Sequence, residues 1–103
     1  MKNESVKRIE HFEPILDESR KAIDSFKKEL AIFKKQCEKI TELSAYYGSE
    51  EWFSDFESYE NGEIDKSVKC GVLSEDEIFD VIEESRELAV EMLDASSYIL
   101  KNI

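Results

Sequence analysis

The strongest structural signal in this sequence is a run of apolar and small residues between residues 9 and 47. The spacing between successive members of this run alternates between three and four residues. We call these residues the heptad face: Ile9, Phe12, Leu16, Ser19, Ile23, Phe26, Leu30, Phe33, Cys37, Ile40, Ser44 and Tyr47. Such spacing places the side chains along one side of a long helix. Because an apolar stripe of this length is unfavourable in water, we expect the rest of the chain or a second copy of it to cover the stripe.

Local signals predict the two ends of this first helix. Asn3 is a typical N-cap residue, and Gly48 readily adopts the backbone conformation with which many helices end. Pro14 lacks a backbone donor and crowds the preceding turn of a helix. We therefore expect either a kink between Glu10 and Pro14 or a new helix start there.

A short aromatic helix is predicted next. Ser49 is a second N-cap residue, and the helix carries Trp52, Phe53, Phe56 and Tyr59 before ending near Glu60. The pair at positions 61 and 62, Asn-Gly, indicates a turn, and residues 63–72, which have no clear period, are predicted to form an ordered loop.

The last helix has the best-defined start in the chain. Ser74 and Glu77 fit a capping box, in which the serine accepts from the Glu77 backbone and the Glu77 side chain reaches back. Leu73 and Ile78 occupy the positions of a hydrophobic staple around it. Apolar residues then recur at steps of three and four to about Lys101.

These elements predict an all-α fold in one helical domain, residues 1–103. A long kinked N-terminal helix, the short aromatic helix and the C-terminal helix would form an antiparallel helical hairpin. The first helix is longer than the last by roughly 25 Å at about 1.5 Å per residue. Heptad-face residues near Ile9 to Leu16 would then lack an internal partner, which predicts self-association, such as a homodimer, or a fold-back at Pro14.

Charge and composition restrict the function. The formal net charge of −11 disfavours binding to nucleic acid and to anionic membranes, since like charges repel. The sequence has neither an apolar run long enough for a membrane span nor an apolar N-terminal segment, so we expect a cytoplasmic protein. Cys37 and Cys70 match no metal-binding spacing, and we expect both to be reduced.

Two segments resemble an uncharacterised bacterial family. Residues 44–53 (SAYYGSEEWF) and 71–80 (GVLSEDEIFD) are similar to domain-of-unknown-function family 4298, a family of short acidic helical proteins. The resemblance covers nearly the whole chain and implies a bacterial or phage cytoplasmic setting. It implies no activity, so no residue inherits a role from it.

The acidic residues are concentrated in the second half of the chain. Residues 1–47 contain ten Lys/Arg and nine Asp/Glu, whereas residues 48–103 contain four and sixteen. The surface that we predict to bind a partner combines these acids with aromatic residues: Glu50, Glu51, Trp52, Asp55, Phe56, Glu57, Asp76, Asp80, Glu83 and Glu87. Three interpretations remain open: a solvated face that keeps the protein soluble, a surface for a basic partner protein, and an imitation of a phosphate backbone.

An enzymatic function has one weak signal. Glu83, Glu84 and Glu87, followed by Glu91 and Asp94, resemble the metal-binding pieces of all-helical nucleoside triphosphate pyrophosphatases, in which two helices together enclose Mg²⁺. Here all five acids lie on one helix. We therefore predict no catalytic residue, no metal site and no cofactor.

The function that we expect is that of a non-enzymatic, small acidic protein acting by protein–protein interaction, as an adaptor or inhibitor, on an unknown partner with a basic surface. The first alternative is a nucleic-acid mimic that inhibits a DNA- or RNA-binding enzyme, such as a phage-encoded inhibitor of a defence nuclease. The second is a Mg²⁺-dependent nucleotide pyrophosphatase.

Overall fold

The computed structural model describes residues 3–103, whose regular structure is entirely helical. Helix α1 spans Glu4–Tyr46, α2 spans Glu50–Glu60 and α3 spans Glu75–Asn102. A single 3-10 turn, Gly71–Leu73, precedes α3. The all-α prediction is confirmed, with a long first helix, a short aromatic helix and a long last helix.

The chain divides into two compact units, one ending at Glu38 and the other spanning Lys39–Ile103. The first unit consists of the larger part of α1. The second contains the end of α1, then α2, the 3-10 turn and α3. Within residues 3–103, every buried side chain lies in the second unit.

Helix α1 begins as its capping residue predicts and continues through Pro14. The backbone N–H of Val6 donates to Asn3 Oδ1 at 2.8 Å, which satisfies one of the exposed donors at the helix start. Since α1 is continuous from Glu4 to Tyr46, the new start and the fold-back at Pro14 are not found. At about 100° per residue, Pro14 lies on the side of α1 opposite the heptad face, and it is exposed to water.

The heptad face is exposed over its first part. Five of its residues in the first unit each keep more than half of their surface accessible to solvent: Ile9, Phe12, Leu16, Ile23 and Phe26. Further along, Leu30, Phe33, Cys37 and Ile40 are half-buried. The exposure expected near Ile9 to Leu16 therefore extends to Phe26, while the antiparallel arrangement of the first and last helices stays a prediction.

The core of the second unit forms around Trp52, which is only 2% exposed. Its indole N–H donates to the Val72 carbonyl at 2.9 Å, so the one polar atom of this side chain is satisfied inside the core. Leu73, Ile78 and Ile82 are also buried. Burial of both Leu73 and Ile78 agrees with the predicted hydrophobic staple at the start of α3.

The capping box at Ser74 forms only in part. The Glu77 backbone N–H points to Ser74 Oγ at 3.5 Å, as predicted. The Ser74 backbone N–H, however, donates to the Gly71 carbonyl at 3.0 Å and not to the Glu77 carboxylate. That carboxylate lies against Gly71, where an added Cβ would be only 2.7 Å from Glu77 Oε2. The reciprocal half of the prediction is wrong because the 3-10 turn already supplies an acceptor.

The end of α2 matches its sequence signal. The Glu63 N–H donates to the Ser58 carbonyl and the Gly62 N–H to the Tyr59 carbonyl, the bond pattern of a Schellman motif. Gly62 has a φ of 72°, a conformation that is unfavourable for residues with a Cβ. The predicted helix end near Glu60 and the following turn are confirmed.

Two further properties of the described residues bear on the function. No helix in residues 3–103 combines the length and the apolar character that crossing a membrane requires. Cys37 and Cys70 are half-buried, and no disulfide joins them.

Candidate functional site

Helix α2 has one buried side and one exposed side. Trp52 points into the core, and Phe56, one turn later, is half-buried and stacked on its ring at 5.5 Å between centroids. Glu50, Phe53 and Glu57 follow one another at steps of three and four, so they share a side of α2 that lies next to, and not on, the buried side of Trp52. All three are exposed, and Phe53 keeps 59% of its surface accessible.

The burial of Trp52 changes the composition of the predicted surface. Trp52 packs edge-on against Tyr47 and Phe53, and its only polar atom is bonded to the Val72 carbonyl. A side chain with 2% exposure cannot contact a partner. Trp52 therefore supports the surface from inside, and Phe53 is the exposed aromatic residue on α2.

The other acidic flank of α2 is held by a hydrogen bond to the end of α1. The Tyr46 hydroxyl donates to Asp55 Oδ2 at 2.5 Å. This hydrogen bond, with smaller effects of burial and of the negative charges of Asp55 and Glu51, raises the pKa of Tyr46 to about 12. Asp55 is thus already engaged within the chain, whereas Glu50 and Glu57 are exposed on the opposite flank.

A groove of about 530 Å³ lies between α2 and the start of α3. Its lining residues are Trp52, Phe53, Phe56, Leu73, Ser74, Glu75 and Asp76. The aromatic and aliphatic residues make an apolar floor, and the carboxylates of Glu75 and Asp76 stand at one side. These two acids belong to the first turn of α3, where negative charge interacts favourably with the helix dipole.

An acidic stripe continues from this groove along α3. Asp76, Asp80, Glu83 and Glu87 are separated by four, three and four residues, which puts them on the side of α3 opposite the buried Ile78 and Ile82. Asp76, Asp80 and Glu87 are exposed. Glu83 is half-buried and pairs with Arg86 at 3.0 Å.

The structure therefore brings part of the predicted surface together. Glu50 and Glu57 lie beside Phe53 on α2, Phe56 and Asp76 line the groove, and the other α3 acids extend the stripe. Two predicted members are separated from the groove: Glu51 and Asp55 lie on the Tyr46 flank of α2.

Two exposed aromatic residues were missing from the predicted set. Phe53 is part of the groove, and Phe79, which is 51% exposed, lies on α3 next to the acidic stripe. The position of Phe53 has a sequence signal, because Trp52, Phe56 and Tyr59 step by four and three and leave Phe53 outside their stripe. For Phe79, which lies beside the core residue Ile78, the spacing alone offers no comparable signal.

No metal-binding arrangement is found in residues 3–103. None of the His, Cys, Asp and Glu side chains described there form a group of three or more that could hold a metal ion. In particular, the carboxylates of Glu83, Glu84 and Glu87 follow one helix and do not converge on a common point.

Comparison with known proteins places the chain in a family without assigning an activity. Neither the curated proteins nor the solved structures contain a match to it. The family model described as "Domain of unknown function (DUF4298)" matches residues 9–95. This range includes α2, every residue that lines the groove, and the acidic stripe on α3. The chain belongs to the DUF4298 family.

Proposed function

We propose that the protein is a non-enzymatic interaction protein, an adaptor or inhibitor, that binds a basic partner protein through the groove between α2 and α3. The observation that carries this proposal is the position of Phe53. One edge of this ring packs on Trp52, but 59% of its surface remains exposed at an apolar groove with acidic residues beside it. Exposed aromatic residues next to a pocket are typical binding hot spots.

The aromatic and acidic residues would contribute to different steps of binding. Burial of Phe53 and of the groove floor removes apolar surface from water and so slows dissociation. The carboxylates at positions 50, 57, 75, 76 and 80 attract a basic surface at long range and so raise the association rate, more at low salt than at high salt.

The chemistry of the site describes the partner. It would present an apolar side chain that fits a groove of about 530 Å³, surrounded by Lys or Arg residues. The net charge of −11 makes nucleic acid and anionic membranes poor ligands for the same surface.

The first experiment identifies such a partner and tests the acidic residues. The wild-type protein would be used for affinity capture from a bacterial lysate, and the captured protein would be purified for binding kinetics. Replacing Glu57, Asp76 and Asp80 together by Lys should slow association about tenfold at low salt and flatten its salt dependence. Asp55 is left unchanged, since its carboxylate holds Tyr46.

A matched control carries the same change of charge farther along α3. The variant in which Glu84, Glu91 and Asp94 are replaced by Lys should associate much faster than the groove variant. Equal rates for the two variants would show that only net charge matters and that the groove is not the binding site. Phe53→Ala should raise the dissociation rate about tenfold or more, as expected for an aromatic hot spot, with circular dichroism as the folding control.

Inhibition by nucleic-acid mimicry is a second candidate, favoured by the regular acidic stripe of Asp76, Asp80, Glu83 and Glu87. In that case the captured partner is a DNA- or RNA-binding enzyme, and excess duplex should displace this protein from it. An adaptor would remain bound under the same competition. Pyrophosphate release from nucleoside triphosphates with Mg²⁺ would contradict both non-enzymatic functions.

A further inference from the structure

The first unit carries an apolar surface that the proposed function does not use. Ile9, Phe12, Leu16, Ile23 and Phe26 are each more than half exposed, and they lie in one line along α1. Around Ile9 to Ser19 the same surface forms an open groove of about 640 Å³. An exposed apolar stripe of several helical turns is typical of an interaction surface.

We propose that this surface binds the same surface of a second copy, as a parallel, in-register coiled coil of two α1 helices. From Ile9 to Phe33, about three and a half heptads, every core position except Ser19 is apolar, and this is within the length at which such a pattern indicates a coiled coil. The first core position of the repeat is Ile9, Leu16, Ile23 and Leu30 in turn. The β-branched residues at two of these four positions are of the kind that favours two strands in parallel coiled coils.

The charged residues beside the stripe select the parallel orientation. In a parallel pair, the residue before each first core position faces the residue five places later on the other helix. Arg8 then faces Glu13 of the second copy, and Glu29 faces Lys34, so both charged pairs are attractive. The two remaining bases, Arg20 and Lys27, face Ile15 and Ala22, on which their aliphatic stems can lie.

An antiparallel pair would be less favourable. Its helices would bring the row of Glu13, Arg20, Lys27 and Lys34 against the same row of the second copy. Three of these four residues are basic, so like charges would meet at most registers. Pro14 does not hinder either arrangement, since it lies on the opposite side of α1.

Two serines at the second core position offer a direct test of orientation and register. Ser5 and Ser19 are separated by two heptads, about 21 Å along the helix. In a parallel, in-register dimer, each would face its own counterpart. In an antiparallel dimer, a residue faces its own counterpart only at the level of the two-fold axis. Ser5 and Ser19 lie at different levels, so at most one of them could face its counterpart.

The test uses the full chain with Cys37 and Cys70 replaced by Ser. Ser5→Cys and Ser19→Cys, introduced separately, should each give a disulfide-linked dimer within minutes of mild oxidation. Ser25→Cys is the matched control, because Ser25 is exposed on the outer side of α1 and should cross-link at least tenfold more slowly. Cross-linking of only one core variant, or equal rates for all three, would overturn the parallel in-register arrangement.

A second measurement does not depend on cysteines. The mass from sedimentation equilibrium at tens of micromolar should be that of a dimer, and a monomer at this concentration would overturn the proposal. Arg8→Glu should weaken dimerisation about fivefold, and Arg8→Glu combined with Glu13→Arg should restore it. If the double variant does not recover the dimer dissociation constant of the wild type, the charge argument for the parallel orientation fails.

Discussion

At the scale of single residues, neighbouring aromatic side chains have opposite roles. Trp52 is enclosed by Tyr47, Phe53 and Phe56, with its indole N–H bonded to a backbone carbonyl. Phe53, one position later, covers part of the Trp52 ring and leaves most of its own surface in water. One helical turn thus supplies both the centre of the core and the exposed ring of the candidate site.

The bond between Tyr46 and Asp55 gives a prediction at this scale. Tyr46→Phe removes the hydroxyl that joins the end of α1 to α2. We expect the free energy of unfolding at neutral pH to fall by about 1 kcal/mol or less, because this hydrogen bond is exposed and the Asp55 carboxylate is hydrated without it. Urea unfolding followed by circular dichroism measures the change. A loss of several kcal/mol would mean that the hydroxyl has a further role.

The same bond has a characteristic pH dependence. The pKa of Tyr46 rises from 10.0 to about 12 in the folded chain, so the folded protein holds this proton more tightly than the unfolded one. The stabilisation is therefore complete below pH 10 and is lost as the pH rises through about 12. Phenolate absorbance of the wild type minus that of Tyr46→Phe should show one tyrosine that titrates late. A difference curve centred near 10 would show that the bond to Asp55 does not retain the Tyr46 proton in solution.

At the scale of elements, α2 is fixed by the chemistry of its two ends. Ser49 Oγ accepts from the Trp52 N–H at 3.1 Å and donates to the Tyr46 carbonyl at 2.7 Å, which links the start of α2 to the end of α1. Gly62 allows the Schellman motif that ends the helix. Because Trp52 lies in the first turn of α2, the N-cap also fixes the position of the core side chain.

Removal of this N-cap should destabilise α2. Ser49→Ala should lower the free energy of unfolding by about 1 kcal/mol, with up to about 2 if the bond to Tyr46 adds to the capping effect. Ser54→Ala is the control, since Ser54 is an exposed residue in the middle of α2 and Ala is the better helix former. Thermal unfolding of both variants provides the comparison. Equal stability of the two would show that the cap contributes little.

The starts of the helices were predictable from the sequence, because they depend on interactions between residues that are close along the chain. Asn3, Ser49 and Ser74 cap their helices as predicted, because a capping side chain needs only the donors of the next few residues. The acceptor of the Ser74 N–H was not predictable, since it depends on the conformation of the loop before it. The candidate site was predictable only in part. Its acids can be read from spacing, and the stripe of Trp52, Phe56 and Tyr59 indicates that Phe53 lies outside the core. The groove itself was not predictable, because it depends on how the residues before α3 pack against α2.

At the scale of the whole molecule, charge is distributed unevenly along the sequence. Residues 1–47 are nearly neutral, whereas residues 48–103 combine sixteen acids with four bases. Two ion pairs stand out among the described residues, Glu4 with Lys7 on α1 and Glu83 with Arg86 on α3. Each joins residues three positions apart, and only Glu83 is half-buried. Such pairs contribute little to stability. Repulsion among the acids of the second unit should therefore be the larger electrostatic effect.

This balance predicts that salt stabilises the protein. Raising NaCl from about 10 to about 150 mM shortens the screening distance to less than 10 Å and so weakens repulsion between the exposed acids. We expect the free energy of unfolding to rise by about 1 kcal/mol at fixed protein concentration. For a chain of this size this corresponds to a rise of about 4 to 8 °C in the thermal midpoint. Replacing Asp80 by Asn and Glu87 by Gln should raise the midpoint at low salt and reduce its dependence on salt, because both acids lie on the exposed stripe. A midpoint that falls with added salt would show instead that attractive pairs outweigh the repulsion among these acids.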